Sequence, residues 1–316
     1  MKFWVGVTDN DWYEFLAHNG SDEVNFWQPS AKPLFSSAPV GMPFLFKLKR
    51  PFNHIAGGGL FVTSSTLPLS LAWEIFGEKN GAASLQDLRR LIGHHVEEAK
   101  GAHKDPLIGC TVLSNTFFID RYSWVAEPPE WASNIVRGKH YETSTWAGEE
   151  IWSHVEPYLR VGQSLPEVGR PIVLDAPSPS GEKFGAPIMV KPRLGQSSFR
   201  VLVTDAYKRR CAMTGESTLD VLEAAHIVPF SDVGGSHEIT NGMLLRSDFH
   251  RLFDRGLVSV APDYTIRVSP RIREAYFNGK AYYRLDNQPL QVLPDDPSTR
   301  PDRDRLNWHF KNCFQG

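Results

Sequence analysis

Short apolar runs dominate the first half of the chain. Phe3-Trp-Val-Gly-Val7, Gly59-Leu-Phe-Val-Thr63 and Ile108-Gly-Cys-Thr-Val-Leu113 are bounded by polar or turn residues and predict strands. Pro43-Phe-Leu-Phe-Lys-Leu-Lys49 alternates from Phe44 onward and predicts another. Leu69–Phe76 and Ser84–Ile92 carry helical spacing instead, with Ser84 as N-cap and Asp87 at the acid position three residues on. Gly57-Gly-Gly59 precedes a strand and lacks a following Lys-Ser/Thr, so it reads as a turn or bulge rather than a phosphate cradle. This half therefore reads as mixed α/β.

The second half follows a different order. Phe199, Leu202, Val203, Ala206 and Tyr207 place a helix over Ser198–Arg210, followed by a turn at Thr214-Gly215. Val221–Val228 predicts a strand ending at Pro229, and Glu238–Leu245 holds a turn and a short return strand. A helix starts at Ser247 and runs to Arg255, with Gly256 as its stop. Leu257–Ala261 and Thr265–Val268 flank Pro262-Asp-Tyr264 as a hairpin. Residues 162–195 are rich in Pro and Gly, most so at Ala176-Pro-Ser-Pro-Ser-Gly181, and read as a linker. The organisation expected is a domain over 1–160, a linker over 161–195 and a domain over 196–316.

Length and composition agree with two domains, since 316 residues exceed one typical domain and nine Trp can serve packed cores. No apolar run is long enough for a transmembrane helix. The N-terminus turns polar by residue 8 and is not a signal peptide. Cys110, Cys211 and Cys313 are scattered and odd in number, which implies a reducing, cytoplasmic setting and no disulfide framework. There is no Cys-x-x-Cys pair for a zinc knuckle. Net charge is −2, but residues 1–182 hold 15 Lys+Arg against 21 Asp+Glu, and residues 183–316 hold 19 against 15. That asymmetry reads either as scatter or as a half that meets phosphates through Lys208-Arg209-Arg210, Arg246, Arg251 and Arg255.

The candidate chemistry lies in the second half. His250 and Asp254 are four apart on the helix and share a face, while Phe249, Leu252 and Phe253 occupy an adjacent one. An imidazole beside a carboxylate suits a divalent cation; taken alone, it also suits a plain surface pair. His226 within an apolar strand reads alone as a core histidine, and Asn241-Gly242 alone as a turn. The order His, Asn, His on strand, loop and helix changes that reading. A phosphodiester needs an in-line nucleophile, and a near-neutral imidazole can deprotonate water to make it.

Residues 193–256 resemble the HNH endonuclease family in its bacterial restriction-type branch. The matching pieces are Gly195-Gln-Ser-Ser-Phe-Arg200, Tyr207, Cys211-Ala-Met-Thr-Gly215, Leu222-Glu-Ala-Ala-His-Ile227, Asn241-Gly242, Leu245-Arg-Ser-Asp-Phe-His250 and Leu252-Phe-Asp-Arg-Gly256. The resemblance implies a ββα-metal fold in which His226 is the general base, Asn241 fixes the loop and with it the imidazole of His226, and His250 is a metal ligand. Many relatives carry Asp or His directly before the base; here that residue is Ala225. Glu223 and Asp254 are the candidates for the second ligand, with Asp254 preferred for its shared face with His250. The metal expected is Mg²⁺, with Mn²⁺, Ni²⁺ or Zn²⁺ open. Cys211 begins what some relatives complete as a zinc pair, which Met213 and Thr214 do not complete.

Residues 1–160 resemble the EVE-like branch of the PUA superfamily. The resemblance rests on Phe3-Trp-Val-Gly-Val7, Asn25-Phe-Trp-Gln-Pro29, Gly41-Met-Pro-Phe-Leu-Phe-Lys47, Gly57-Gly-Gly-Leu-Phe61, Leu69–Gly77 and Ile108-Gly-Cys-Thr111. It implies a β-barrel with helices and an aromatic pocket for a flipped, modified base. Such a pocket needs flat faces and a few polar groups. Trp27 and Trp73 are the leading aromatic candidates, with Phe26, Phe46 and Phe52 behind them; Asn53, His54 and Gln28 could supply polar contacts. The same aromatics also read as barrel core. His94, His95 and His103 read as a solvated loop.

The expectation is thus an α+β chain: an N-terminal PUA/EVE-like β-barrel domain linked to a C-terminal ββα-metal nuclease domain. Its expected partner is double-stranded DNA bearing 5-methylcytosine or 5-hydroxymethylcytosine, cut to restrict foreign DNA. Two strands need two sites or two events, which hints at a homodimer. The alternatives are an HNH nuclease reading unmodified sequence, or a nucleic-acid reader whose nuclease half is degenerate because of Ala225.

Overall fold

A computed structural model of the chain describes residues 1–32, 34–35, 38–96, 105–161, 192–276 and 279–316. Most of the expected linker, and His103, lie outside the described residues, as do the side chains of His94 and His95. The chain divides into two compact units, Met1–Gly195 and Gln196–Gly316.

The first unit is a mixed sheet with helices. Its strands are β1 (Lys2–Thr8), β2 (Glu23–Gln28), β3 (Pro43–Leu48), β4 (His54–Pro68), β5 (Leu107–Phe118), β6 (Val125–Ala126) and β7 (Gly138–Glu142). Its helices are α1 (Asn10–Asn19), α2 (Leu69–Phe76), α3 (Leu85–Val96) and α4 (Trp146–Val161). The strand order is β2-β5-β4-β3-β1-β7, with β6 on β4. Strands β1 and β3 pair in parallel; the other pairings among the described residues are antiparallel. The barrel expectation is met only as far as a mixed sheet. Among the described residues each of the end strands, β2 and β7, has a single partner, and no pairing joins them.

Both faces of this sheet are covered. Phe44, Phe46 and Leu48 of β3 join Trp12, Tyr13 and Leu16 of α1 in one core. Leu45 belongs to a second core with Ile151, Val155, Tyr158 and Leu159 of α4. That two-sided burial explains why β3 is buried at every position, although its sequence suggests one buried face. Lys47 is buried there, with Nζ 2.6 Å from Glu127 Oε2 and lying over the Trp131 ring. The register of β4 shifts around Gly57–Gly59, as the bulge reading expects. Ser84 and Asp87 cap α3 reciprocally: the Asp87 N–H donates to Ser84 Oγ at 3.1 Å, and Ser84 Oγ–H donates to Asp87 Oδ2 at 2.6 Å.

The second unit contains α5 (Gln196–Ala206), β8 (Leu222–His226), β9 (Gly242–Arg246), α6 (Ser247–Asp254), β10 (Val258–Val260), β11 (Ile266–Val268), α7 (Arg271–Tyr276), α8 (Lys280–Tyr283) and α9 (Arg303–Asn312). Strands β8 and β9 pair antiparallel from Leu222↔Arg246 to His226↔Gly242. Phe199 and Val203 of α5, Met243 and Leu245 of β9, Phe249 and Phe253 of α6, and Leu306 of α9 share one core. Gly242 lets α5 seat on the hairpin: a Cβ there would lie 2.5 Å from Val203 Cγ2 and 2.8 Å from Phe199 Cε2. Gly256 ends α6 at φ 65, and a Cβ there would lie 1.9 Å from the Cys313 carbonyl oxygen.

Candidate active site

The hairpin β8–β9 and helix α6 bring together the residues that the sequence singles out. His226 closes β8, Asn241 immediately precedes β9, and His250 and Asp254 share one face of α6.

Asn241 is fully buried, and its amide is used as a brace. Its Oδ1 accepts the Val228 N–H at 2.9 Å, and its Nδ2 donates to the carbonyls of Val228 and Ser236, each at 2.9 Å. Its own carbonyl accepts the Ile227 N–H at 2.9 Å. One side chain thus ties both limbs of the loop between the strands, which leaves these backbone groups satisfied away from water.

The His226 ring stacks on Phe199 of α5, with centroids 4.0 Å apart and planes 9° apart. Its Nε2 lies 3.1 Å from Nδ1 of His237. Burial, joined by the neighbouring His237 and His250, pushes the His226 imidazole down to about 4, so it is neutral across ordinary pH. Sequence reasoning missed His237. It sits in a polar loop with no periodic signal, and only the fold of that loop brings it to His226.

His250 stands between two carboxylates. Glu223 Oε2 is 2.6 Å from its Nδ1, and Asp254 Oδ2 is 3.4 Å from its Nε2. Glu223 reaches it from β8 two residues before Ala225, on the same strand face by the period of two. Ala225 itself is fully buried in the core. Asp254 is exposed on α6 and keeps much of its hydration, yet its carboxyl is raised, chiefly by partial desolvation; His250 pulls it down and Glu223 pushes it up. Among the described residues no set of three His, Cys, Asp or Glu side chains already converges as a metal cage. The donor chemistry still fits a divalent cation, because one imidazole lies between two carboxylates whose repulsion a cation would relieve.

The surrounding cations differ in availability. Arg246 is clamped to Asp248 by Nε and Nη2 at 2.6 and 2.8 Å. Lys208 pairs with Asp295, and Arg209 with Asp205. Arg251 and Arg255, on α6 and at its end, are exposed. Cys211 is buried, and its Sγ accepts the Arg246 N–H at 3.3 Å, a role that needs no zinc.

The first unit holds a cavity of about 270 Å³ lined by Val7, Asp9, Trp12, Phe26, Trp27, Gln28, Pro29, Ser30, Lys49, Leu91, Val136 and Arg137. Trp27 and Phe26 therefore border one space. Trp27 Nε1 donates to the Asn80 carbonyl at 2.9 Å, and Phe26 is mostly buried in the core. Trp73 and Asn53 do not belong to this cavity. Trp73 lies on α2, and Asn53 is in a left-handed turn with Oδ1 3.4 Å from Lys47 Nζ. At the cavity wall, Asp9 caps α1 and pairs with Lys49 at 2.8 Å.

Residues 211–261 match the HNH_2 family, HNH endonuclease. The chain carries an HNH endonuclease domain. No curated protein matches the chain. Two solved structures show distant likeness. One is a point mutant of the ZmASCH protein from Zymomonas mobilis, at 9% identity and a TM-score of 0.25, covering 35% of this chain and 68% of that one. The other is the modification-dependent TagI restriction endonuclease, at 14% identity and a TM-score of 0.30, covering 94% of this chain and 76% of that one. Among the described residues no helix is long and apolar enough to cross a membrane.

Proposed function

We propose that the chain is a metal-dependent endonuclease that cuts double-stranded DNA bearing modified cytosine, 5-methylcytosine or 5-hydroxymethylcytosine, and so restricts foreign DNA. The observation that carries the nuclease part is the neutral imidazole of His226, fixed by Phe199 and by the Asn241-braced loop, on the same ββα unit as the Glu223–His250–Asp254 group.

In this reading His226 takes a proton from water, and the hydroxide so formed attacks phosphorus opposite the leaving oxygen. Asn241 holds the loop that carries the base. His250, through Nε2, and Asp254 would hold a divalent cation, while Glu223 fixes the ring from Nδ1. The cation, when bound, supplies charge stabilisation for the phosphorane and the leaving oxygen. Arg251 and Arg255, exposed on α6 and at its end, would meet the DNA backbone.

The modified-base part rests on the cavity of the first unit. It is larger than a single pyrimidine requires, aromatic on Trp12, Phe26 and Trp27, and polar at Asp9, Gln28, Ser30, Lys49 and Arg137. Trp12 is 4% exposed, and its Nε1–H has no hydrogen-bond partner among the described residues. We assign the PUA/EVE-like reader role to this unit on that cavity. Cutting both strands with one HNH site per chain calls for a homodimer or two successive events.

The deciding experiment incubates the full chain with matched plasmids that are unmodified, 5-methylated or 5-hydroxymethylated, with Mg²⁺ or with EDTA. Metal-dependent cleavage of the modified plasmids alone is expected. Equal cleavage of all three favours a nuclease of unmodified sequence, and binding without cleavage under every metal favours a reader with a degenerate nuclease half.

A further inference from the structure

We propose that His237 is a positioning residue for the base. Its Nδ1 accepts a hydrogen bond from Nε2–H of His226, holds that ring in the tautomer protonated at Nε2, and leaves Nδ1 to take the proton from water. This inference rests on the reading of His226 as the base.

Stacking on Phe199 fixes the plane of the His226 ring. It does not distinguish the ring from its flipped form, which exchanges nitrogen and carbon positions within the same plane. The contact at Nε2, 3.1 Å from His237 Nδ1, makes that distinction. Among the described residues, Nδ1 of His226 makes no hydrogen bond.

His237 is itself held. Its ring stacks on Phe230 with centroids 4.0 Å and planes 9° apart. Asn241 Nδ2 donates to Ser236, the residue directly before His237, and also to Val228, two residues after His226. Gly235 lets the loop fold back, since a Cβ there would lie 2.1 Å from the Pro229 carbonyl oxygen. One buried amide therefore sets the spacing of both imidazoles.

The direction of the bond follows from proton counting. A neutral imidazole carries one N–H. If His237 donated, His226 would carry its own proton on Nδ1 and use its lone pair at Nε2, and it could accept nothing from water. With His226 as donor, the Nδ1 lone pair is open. The proton of water then passes to Nδ1, and the hydroxide oxygen bonds to phosphorus. The bond from phosphorus to the leaving oxygen breaks with its electron pair, and that oxygen is protonated by solvent. The His226 imidazolium later returns its proton to solvent. While it is charged, its Nε2–H bond to His237 is charge-assisted and stronger. A neutral imidazole thus serves where other hydrolytic sites use a carboxylate behind the histidine.

The test uses the full chain labelled with ¹⁵N-histidine, without metal, together with steady-state cleavage. In the wild type, His226 is expected as the Nε2–H tautomer. His237→Ala should give a mixture of tautomers and lower kcat about tenfold or more, with KM for DNA little changed. His237→Asn, whose Oδ1 replaces the accepting nitrogen, should restore the single tautomer and most of kcat. An Nδ1–H tautomer in the wild type overturns the proposal. So does an unchanged kcat in His237→Ala, or a His237→Asn variant as slow as the alanine one. If His237→Ala fails to fold, the wild-type spectrum and His237→Asn decide alone. An active His226→Ala variant would remove the base reading while leaving the tautomer result legible.

Discussion

The carboxylate of Glu223 lies 2.6 Å from Nδ1 of His250, while that of Asp254 lies 3.4 Å from Nε2 of the same ring. The short contact pins the ring from β8. The longer one leaves Nε2 and Asp254 on the open side of α6, where a cation can enter. A histidine that binds metal through one nitrogen is commonly oriented by an acceptor on the other. Asp254→Asn should therefore weaken Mg²⁺ or Mn²⁺ binding and lower cleavage by about 100-fold or more. His250→Ala should abolish both. Glu223→Gln, which keeps an acceptor, should lose about tenfold, and Glu223→Ala more. Calorimetric metal titration beside cleavage rates checks the order. A silent Glu223→Gln variant with an active Asp254→Asn would exchange the two roles.

Removing the base should leave DNA binding nearly intact, because the imidazole acts on water. His226→Ala is expected to cleave about 100-fold more slowly or worse, at unchanged affinity in gel-shift titrations. Since burial and two neighbouring histidines hold His226 down at about 4, the base form persists below the usual histidine range. Cleavage should lose this group only as pH falls toward 4. A sharp loss centred near 6.5 in single-turnover rates would contradict it.

Asn241 predicts a change in stability joined to a change in rate. Asn241→Ala leaves the Val228 N–H and the carbonyls of Val228 and Ser236 without their partner. Each orphaned buried group costs on the order of 1–3 kcal/mol. Asn241→Asp can still accept the Val228 N–H but cannot donate to either carbonyl. Both variants should melt lower than the wild type and cleave slowly, measured by calorimetry and by rate. A wild-type melting temperature for Asn241→Ala would show that the loop is held by other means.

How much of this was legible in the sequence depended on whether a signal was local. Strand β3, helices α2 and α3, the β10–β11 hairpin and the helix carrying His250 follow from spacing and punctuation within a few residues. The placement of Asn241 and Glu223 beside the two histidines needed the hairpin register, which resemblance suggested and β8–β9 pairing now displays. His237 was invisible because its partner is in space rather than in period. In the first unit, Trp73 on helix α2 and Asn53 in a left-handed turn do not line the cavity that Trp27 borders. Asp9 and Lys49, which line it, carry no pocket signal in the sequence, and the fold joins them there. The strand order of the sheet in the first unit was unreadable for a similar reason, since strand pairing across long intervals leaves no mark in either strand.

His309 makes the stability of the second unit depend on pH. It is buried at 3% exposure; its Nε2–H donates to the Phe253 carbonyl at 3.1 Å, and its Nδ1 accepts from Ser259 Oγ–H at 2.9 Å. Burial pushes its imidazole down to about 4, against an ordinary value of 6.5. The unfolded chain therefore binds a proton between 6.5 and 4 that the folded chain refuses, so stability falls as pH drops through that window and is flat above it. His226 acts in the same direction. Urea unfolding followed from about pH 7.5 to about pH 4.5 should show the midpoint falling. His309→Leu should start lower at the upper end of that range but fall less steeply, and an equal slope would refute the assignment.

The reader role of the first unit turns on Trp27. Extruding a base costs a few kcal/mol, which contacts in the pocket must offset. Replacing a stacking aromatic by Ala loses about 1–3 kcal/mol per base, so Trp27→Ala should weaken binding to modified duplex roughly tenfold or more. Preference over unmodified duplex should vanish with it. Trp27 also donates to the Asn80 carbonyl, so lost folding could imitate lost recognition. Asp9→Asn separates the two, because it leaves the aromatic wall intact while removing the charge that pairs with Lys49 at the cavity edge. It should fold with only a small change in melting temperature and still alter the ratio of affinities for modified and unmodified duplex. Fluorescence titrations of the full chain, without metal so that no cutting occurs, give both affinities. Equal wild-type affinity for the two duplexes would remove the modified-base reading while leaving the HNH chemistry untouched. A folded Trp27→Ala variant with undiminished preference would move recognition away from this cavity.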